Sequence, residues 1–299
     1  MTATPAPILL TLLVLPFAAT AAEQVLPQSE AYETPEAWRR PVEPFRVADS
    51  TWYVGTEGLS VILVKTADGA VLIDGGLPQA APVLLEYLQQ LDVPPGQLKY
   101  ILHSHAHGDH VGPLAALRRA TGARVVSNAE SAALLARGGS DDLFFGDGIL
   151  YPPVVTDRLV QDGEALELGG VRFVAHFTPG HTPGSLTWTW NDTRDGAETQ
   201  IVYADSLTAP GYQLIDNPRY PHIVDDYRRS FARLRDLRCD LLITPHPDFS
   251  GWKPAEAQTP HAEPTTCRAY AAAAEARLDE QLEKERADTR AAAGSARSQ

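Results

Sequence analysis

Eight consecutive residues, His103-Ser104-His105-Ala106-His107-Gly108-Asp109-His110, constrain this chain more than any other stretch. Imidazoles and a carboxylate at this density are costly to bury unless a cation binds them. Neutral imidazole nitrogens and carboxylate oxygens are the usual zinc ligands where no thiolate takes part. The octet follows the apolar run Tyr100-Ile101-Leu102, which reads as a short buried strand. It precedes Val111-Gly112-Pro113-Leu114, where Pro113 suits the first turn of a helix. The ligands are therefore expected on a loop at the end of a strand, where open α/β sheets place their chemistry.

A catalytic zinc site needs three or four ligand positions, one of them left to water. The octet offers His105 and His107 to one metal and the adjacent Asp109 and His110 to a second. Two distant histidines stand in similar settings. His181 lies in Thr178-Pro179-Gly180-His181-Thr182-Pro183-Gly184, and His246 in Thr244-Pro245-His246-Pro247, each after an expected strand. Either alone is more often a structural histidine, and the octet alone could be a surface chelating tract. Together they make a structural coincidence improbable. His103 reads as packed or supporting rather than ligating.

The rest of the chain frames this cluster. Strands are expected over 45–54, 59–66 and 70–73, with Asp68-Gly69 as a hairpin turn, and a helical period covers 78–91. A strand over 100–102, a helix over 113–120 and a strand over 123–126 follow. Asn128 is a plausible N-cap for a helix over 129–137. The loop 140–153 carries Leu143, Phe144, Phe145, Ile149, Leu150 and Tyr151, enough apolar surface to cover a pocket, meet another subunit or tuck into the core. Further strands are read at 158–160, 171–176, 185–190, 200–203 and 240–243, and helices at 223–237 and 265–288. Strands followed by helices in each half suggest two packed sheets with helices outside.

The net charge of −13 repels phosphate backbones and excludes nucleic acid as a partner. Residues 1–22 carry no charge, and their apolar core, 8–15, is too short to span a bilayer. Ala19-Thr20-Ala21 fits a cleavage site, so 1–21 reads as a signal peptide and the mature protein as periplasmic; a buried N-terminal helix is the alternative. No cysteine lies near that site to carry a lipid anchor. Residues 22–44 read as an irregular arm, 45–290 as one domain, and 291–299 as a frayed tail. Cys239 and Cys267 suggest one disulfide in an oxidising compartment, the alternative being two free buried thiols.

The spacing His105-x-His107-x-Asp109-His110, with His181 and His246 downstream, resembles the signature of the metallo-β-lactamase superfamily. The resemblance covers nearly all of the mature chain. It is strongest to the third subclass of class B β-lactamases, and within that to a homotetrameric member. The stretches from Ala129 to Leu143, Tyr203-Ala204-Asp205-Ser206-Leu207, and Asn217-Pro218-Arg219-Tyr220-Pro221-His222 carry that similarity, and the cysteine pair matches the subclass's disulfide positions. It implies an αββα sandwich of two mixed sheets and two zinc ions. His105, His107 and His181 would hold the first ion; Asp109, His110 and His246 would hold the second. Asp109 would also aim a zinc-activated hydroxide at the lactam carbonyl of penicillins, cephalosporins and carbapenems. Ser206 and Thr208 would bind the substrate carboxylate, directly or through water. Tyr212, Phe145, Ile149, Tyr32 and Trp38 would shape the pocket. A glyoxalase II-like thioesterase or a lactonase is the enzymatic alternative, and a metal-bridging Asp205 would favour it. A zinc-binding protein without catalysis is the alternative from another class.

Overall fold

Short β-branched runs dominate the first half, and they pair into one sheet. The computed structural model describes Met1, residues 32–256 and residues 258–296. The expected signal peptide beyond Met1, and residues 22–31 of the arm, lie outside the described residues. The arm enters as a short helix, α1 (Glu36–Arg39). It leads into β1 (Phe45–Arg46), β2 (Thr51–Tyr53), β3 (Ile62–Thr66), β4 (Gly69–Ile73), β5 (Leu98–Leu102), β6 (Arg124–Ser127) and β7 (Arg158–Leu159), seven strands in that order across the sheet. The strand expected over 45–54 is thus a two-strand hairpin, β1 against β2. From β4 onward the pairs are parallel.

The second sheet has five strands in the order β12-β11-β10-β9-β8. They are β8 (Ala165–Leu168), β9 (Val171–Phe177), β10 (Leu186–Arg194), β11 (Ala197–Tyr203) and β12 (Leu241–Ile243). Asp195 and Gly196, both at positive φ, turn β10 tightly into β11. The helices are α2 (Ala81–Gln90), α3 (Gly108–Val111), α4 (Leu114–Thr121), α5 (Ala129–Ala136), α6 (Ile223–Asp236) and α7 (Cys267–Ala296). Asn128 caps α5 by accepting from the Ser131 N–H at 2.9 Å.

The side chains sort into three apolar layers. Ile62, Val64, Val71 and Ile73 face Phe173, Trp188, Trp190 and Ile201 between the sheets. Their neighbours Leu63 and Leu72 face the other way, onto Leu84 and Leu88 of α2 and Leu114 and Leu117 of α4. Strands buried on both faces read as continuous apolar runs, which is why β3 and β4 show no polar alternation. The outer face of the second sheet, Val202 and Leu242, is covered by Tyr227, Phe231 and Leu234 of α6 and Tyr270, Ala274 and Leu278 of α7. The result is the expected αββα sandwich.

A disulfide joins Cys239 to Cys267, with 6.1 Å between their Cα atoms, and fastens the start of α7 near the end of α6. Helix α7 continues to Ala296, past the end expected near residue 288, because alanine at 291–293 propagates a helix well. No helix among the described residues is long and apolar enough to cross a membrane.

Candidate metal centre

The centre sits where strands of both sheets end. At the end of β4, Asp74 takes φ +62° and is wholly buried. Its carboxylate accepts from Ser104 N at 2.7 Å, Ser104 Oγ at 2.8 Å and Tyr203 Oη at 2.7 Å. One carboxylate thereby ties β4, the residues after β5 and β11 together beneath the histidines. Burial raises its pKa, partly offset by His110 and these donors.

The octet is not all loop. His105 and His107 follow β5, His107 in extended backbone, but α3 begins at Gly108, so Asp109 and His110 stand on its first turn. The helix was expected only from Pro113, because Gly108 and Gly112 are poor helix formers. Packing overrides propensity here. A Cβ at Gly112 would lie 2.4 Å from the Pro78 nitrogen, so only glycine lets α3 seat on that turn. His181 is fixed likewise: Gly180 sits at φ +143°, where a Cβ would lie 2.5 Å from the Tyr227 ring.

Two groups of ligand atoms converge, each within 4.8 Å: His105 with His107 and His181, and His105 with Asp109 and His110. His246 stands beside the second group, its Nε2 lying 3.6 Å from Asp109 Oδ2, while His110 Nε2 lies 3.1 Å from the same oxygen. His103 stays outside both groups. It is fully buried, with Nε2 2.8 Å from Ser127 Oγ.

The outward nitrogens explain the inward ones. His105 Nδ1 hydrogen-bonds Asp205 Oδ1 at 2.8 Å, and His181 Nδ1 bonds the Thr208 carbonyl at 2.7 Å. His107 Nε2 lies 3.4 Å from Asp142 Oδ2. Such partners fix the tautomer and turn the other nitrogen inward as a lone pair. His105 Nε2, His107 Nε2 and both ring nitrogens of His110 are buried without a hydrogen-bond partner, which a native core seldom tolerates. Donors of this kind, converged and unsatisfied, fit a bound cation.

Charge points the same way. Burial and neighbouring histidines push His105 well below its ordinary pKa, His181 down to about 3 and His246 down to about 4, so all three rings are neutral at pH 7. Burial would raise the Asp109 carboxyl, but His110 and His246 hold it below the usual carboxylate range. Burial opposes charge on His110 as well, yet Asp109 beside it raises this imidazole to about 9. A cation at this flank competes with that proton.

A cavity of about 900 Å³ opens onto the centre. Tyr32, Trp38, Phe145, Ile149 and Thr208 form part of its wall beside His107, Asp109, His181 and His246. The loop 140–153 does two things: Phe145 and Ile149 cover the cavity, while Leu143 and Phe144 pack onto the α6–α7 core. Ser206, expected at the substrate carboxylate, and Tyr212, expected at the pocket's border, do not line this cavity. Ser206 is buried behind the wall, its hydroxyl without a hydrogen-bond partner. Tyr212 is also buried, stacked on Phe144 at 3.4 Å between ring centroids, and reaches the centre only as a neighbour of the His181 ring at 5.8 Å.

Sequence reasoning missed Asp74 and Asp142. Asp142 accepts from Phe144 N at 2.8 Å and Phe145 N at 2.9 Å, and so carries the cavity loop as well as supporting His107. Burial would raise this carboxyl, but His107 and the two backbone donors bring it down to about 2. Asp74 ends a strand as Asp74-Gly75-Gly76, a polar residue at a sheet's chemical edge, and that signal could have found it.

Comparison with known proteins agrees with this geometry. The family model described as the metallo-beta-lactamase superfamily matches residues 54–246. A solved metallo-β-lactamase of Cronobacter sakazakii with a HARLDQ motif is 40% identical; the match covers 84% of this chain and 98% of that one, with a TM-score of 0.79. This chain has histidines, His107 and His110, at the third and sixth places of that motif. FEZ-1 of Legionella gormanii is 31% identical over 85% of this chain and 99% of its own, with a TM-score of 0.79. BJP-1, a subclass B3 enzyme of Bradyrhizobium japonicum, is 31% identical over 85% and 98%, with a TM-score of 0.77. Among curated proteins, the hydroxyacylglutathione hydrolase of Rhodopseudomonas palustris is 26% identical over 60% of this chain, and that of Anaeromyxobacter dehalogenans 32% over 51%. The chain spans 59% and 47% of the length of those two relatives. Fold, ligand groups and family match agree: the chain belongs to the metallo-β-lactamase superfamily, and its solved structural neighbours include β-lactamases of subclass B3.

Proposed function

We propose that this protein is a periplasmic, two-zinc β-lactamase that hydrolyses the amide bond of penicillins, cephalosporins and carbapenems and so confers resistance. The observation that carries this reading is the position of Asp205. In the wider superfamily a carboxylate in this region bridges the metals, as a thioesterase would require. Here Asp205 is fully buried, belongs to neither ligand group, and gives Oδ1 to His105 Nδ1. Apolar and aromatic walls at Tyr32, Trp38, Phe145 and Ile149 suit a bicyclic lactam.

His105, His107 and His181 would hold one zinc, and Asp109, His110 and His246 the other. Zinc, when bound, supplies a Lewis acid for the carbonyl and lowers the pKa of water near neutrality. The chain supplies the rest. Asp109, kept ionised, accepts a hydrogen bond from the attacking water and aims it. The Tyr32 hydroxyl lies against that carboxylate, and burial and the Asp109 charge keep it protonated. Thr208, on the wall beside His181, offers its hydroxyl to the substrate carboxylate. Phe145 and Ile149 exclude bulk water from the bond under attack.

The curated hydroxyacylglutathione hydrolases favour a second reading, a thioesterase. Turnover of a carbapenem and of a glutathione thioester by purified mature protein, with zinc counted in the same sample, separates the two. Carbapenem hydrolysis that EDTA abolishes and zinc restores is expected. Thioester turnover with an intact carbapenem would overturn the proposal, and activity indifferent to EDTA would overturn both readings. Export is read by cell fractionation with and without residues 1–21, and the homotetramer that the resemblance implies by sedimentation.

A further inference from the structure

The wall that carries Thr208 and Pro210 is held at its two ends by different parts of the molecule. At its start, the Thr208 carbonyl accepts from His181 Nδ1 at 2.7 Å and from Tyr227 Oη at 2.6 Å, and Leu207 N donates to Tyr270 Oη at 3.1 Å. At its far end the anchors come from α7. Leu214 N and Ile215 N each donate to the Glu285 carboxylate at 3.0 Å, and Gln281 Nε2 donates to the Tyr212 carbonyl at 2.8 Å. Between the ends lie Ala209, Pro210 and Gly211, which are not buried, with Gly211 at φ +72°. Their one internal backbone bond is long, Tyr212 N to Ala209 O at 3.4 Å.

Glu285 is half-buried and takes part in no ion pair among the described residues. A carboxylate on a helix face normally turns to water or to a cation. This one is spent on backbone N–H groups of a loop, and such charge-assisted bonds are about twice as strong as neutral ones. The acceptor, Glu285, lies beyond the stretch matched by the family model, which ends at residue 246.

We propose that Glu285, with Gln281, is a positioning residue: through them α7 sets where Pro210 stands on the cavity wall, and thereby how tightly the cavity holds substrate. The proposal rests on reading the 900 Å³ cavity as the substrate site. The metal flank is anchored independently through His181, so releasing the far end moves the wall without unseating the ligands.

Glu285→Ala in the metal-loaded full chain tests this with three readouts. Amide hydrogen exchange over 212–216 is expected to rise. KM for the substrate turned over is expected to rise roughly tenfold with kcat within about twofold, the signature of lost uniform binding. Metal content is expected to stay unchanged. Glu285→Gln, which keeps one acceptor oxygen, should recover part of KM, and Gln281→Ala should reproduce a smaller rise; both stand in if Glu285→Ala fails to fold. Faster exchange with an unchanged KM would reduce Glu285 to a structural anchor and overturn the proposal. So would loss of metal, or a fall in kcat alone. Should the wild type leave β-lactams intact, the β-lactamase reading fails by itself, and exchange together with KM for the thioester still decides the role of Glu285.

Discussion

The two flanks of the metal centre are built differently. On the flank of His105, His107 and His181, two rings have the outward nitrogen hydrogen-bonded to the fold, His105 to Asp205 and His181 to the Thr208 carbonyl, while His107 Nε2 stands 3.4 Å from Asp142 without a hydrogen bond. On the other flank, His110 has both nitrogens without a hydrogen-bond partner, and Asp74 stands off at 3.6 Å from Nδ1. His246 is supported by peripheral segments, the Gly58 backbone and the Trp38 ring of α1 at 4.9 Å, and its side chain is 21% exposed. A site whose rings are already oriented spends no binding energy on orienting them. With two of its three rings hydrogen-bonded to the fold, the first flank is the more preorganised of the two.

The largest expected effects come from deleting one ligand on each side. His181→Ala and His107→Ala should empty the first flank and lower turnover by several orders of magnitude, since the metal carries most of the acceleration. His246→Ala should lower turnover as steeply, yet leave about one metal bound per chain. Metal counting after dialysis reads the difference. If His246→Ala strips both metals, the two flanks bind metal as one unit.

A titration without mutation is the next sharpest probe. Zinc added to chelator-treated protein, followed by calorimetry, should fill in two phases, the tighter at least roughly tenfold stronger than the weaker. A single phase of equal affinities would remove the distinction. Asp205→Asn and Asp142→Asn then ask whether the outward partners cause it. Each should weaken the first phase by about 10–100-fold and spare the second. An Asp205→Asn protein that loses both phases equally would mean that this carboxylate bridges the metals, and would revive the thioesterase reading.

The same contrast explains what the sequence made legible. Ligands cluster because one tight turn can present several side chains, so His105 to His110 announce themselves locally. Strands and the outer helices follow from periodic apolar runs, as at 70–73 and 223–237. The supporting shell leaves no such trace: His105 and Asp205 lie 100 residues apart, and Leu214 and Glu285 71 apart. Any buried carboxylate could have served, and only the folded chain says which one does. Helix α3 was hidden for a related reason, since its glycines disfavour helix and only the seat on Pro78 permits it. Ser206 and Tyr212 lie buried, since a strand or loop position in the sequence fixes the backbone of a residue but not the depth of its side chain.

The smallest expected effect tests whether the arm belongs to the second flank or only to the cavity. Trp38 lines the cavity and also packs on the His246 ring. Aromatic contacts of this kind contribute about 0.5–1.5 kcal/mol beyond their area. Trp38→Ala should therefore weaken the second zinc phase severalfold and raise KM by a similar factor, with the first phase untouched. Trp38→Phe keeps a ring against His246 and removes the indole from the cavity wall. It should restore the zinc phase more fully than KM. If Trp38→Ala changes KM but not the second phase, His246 owes its position to Gly58 and its own proline-flanked turn. The looseness of that flank would then lie in His110 alone.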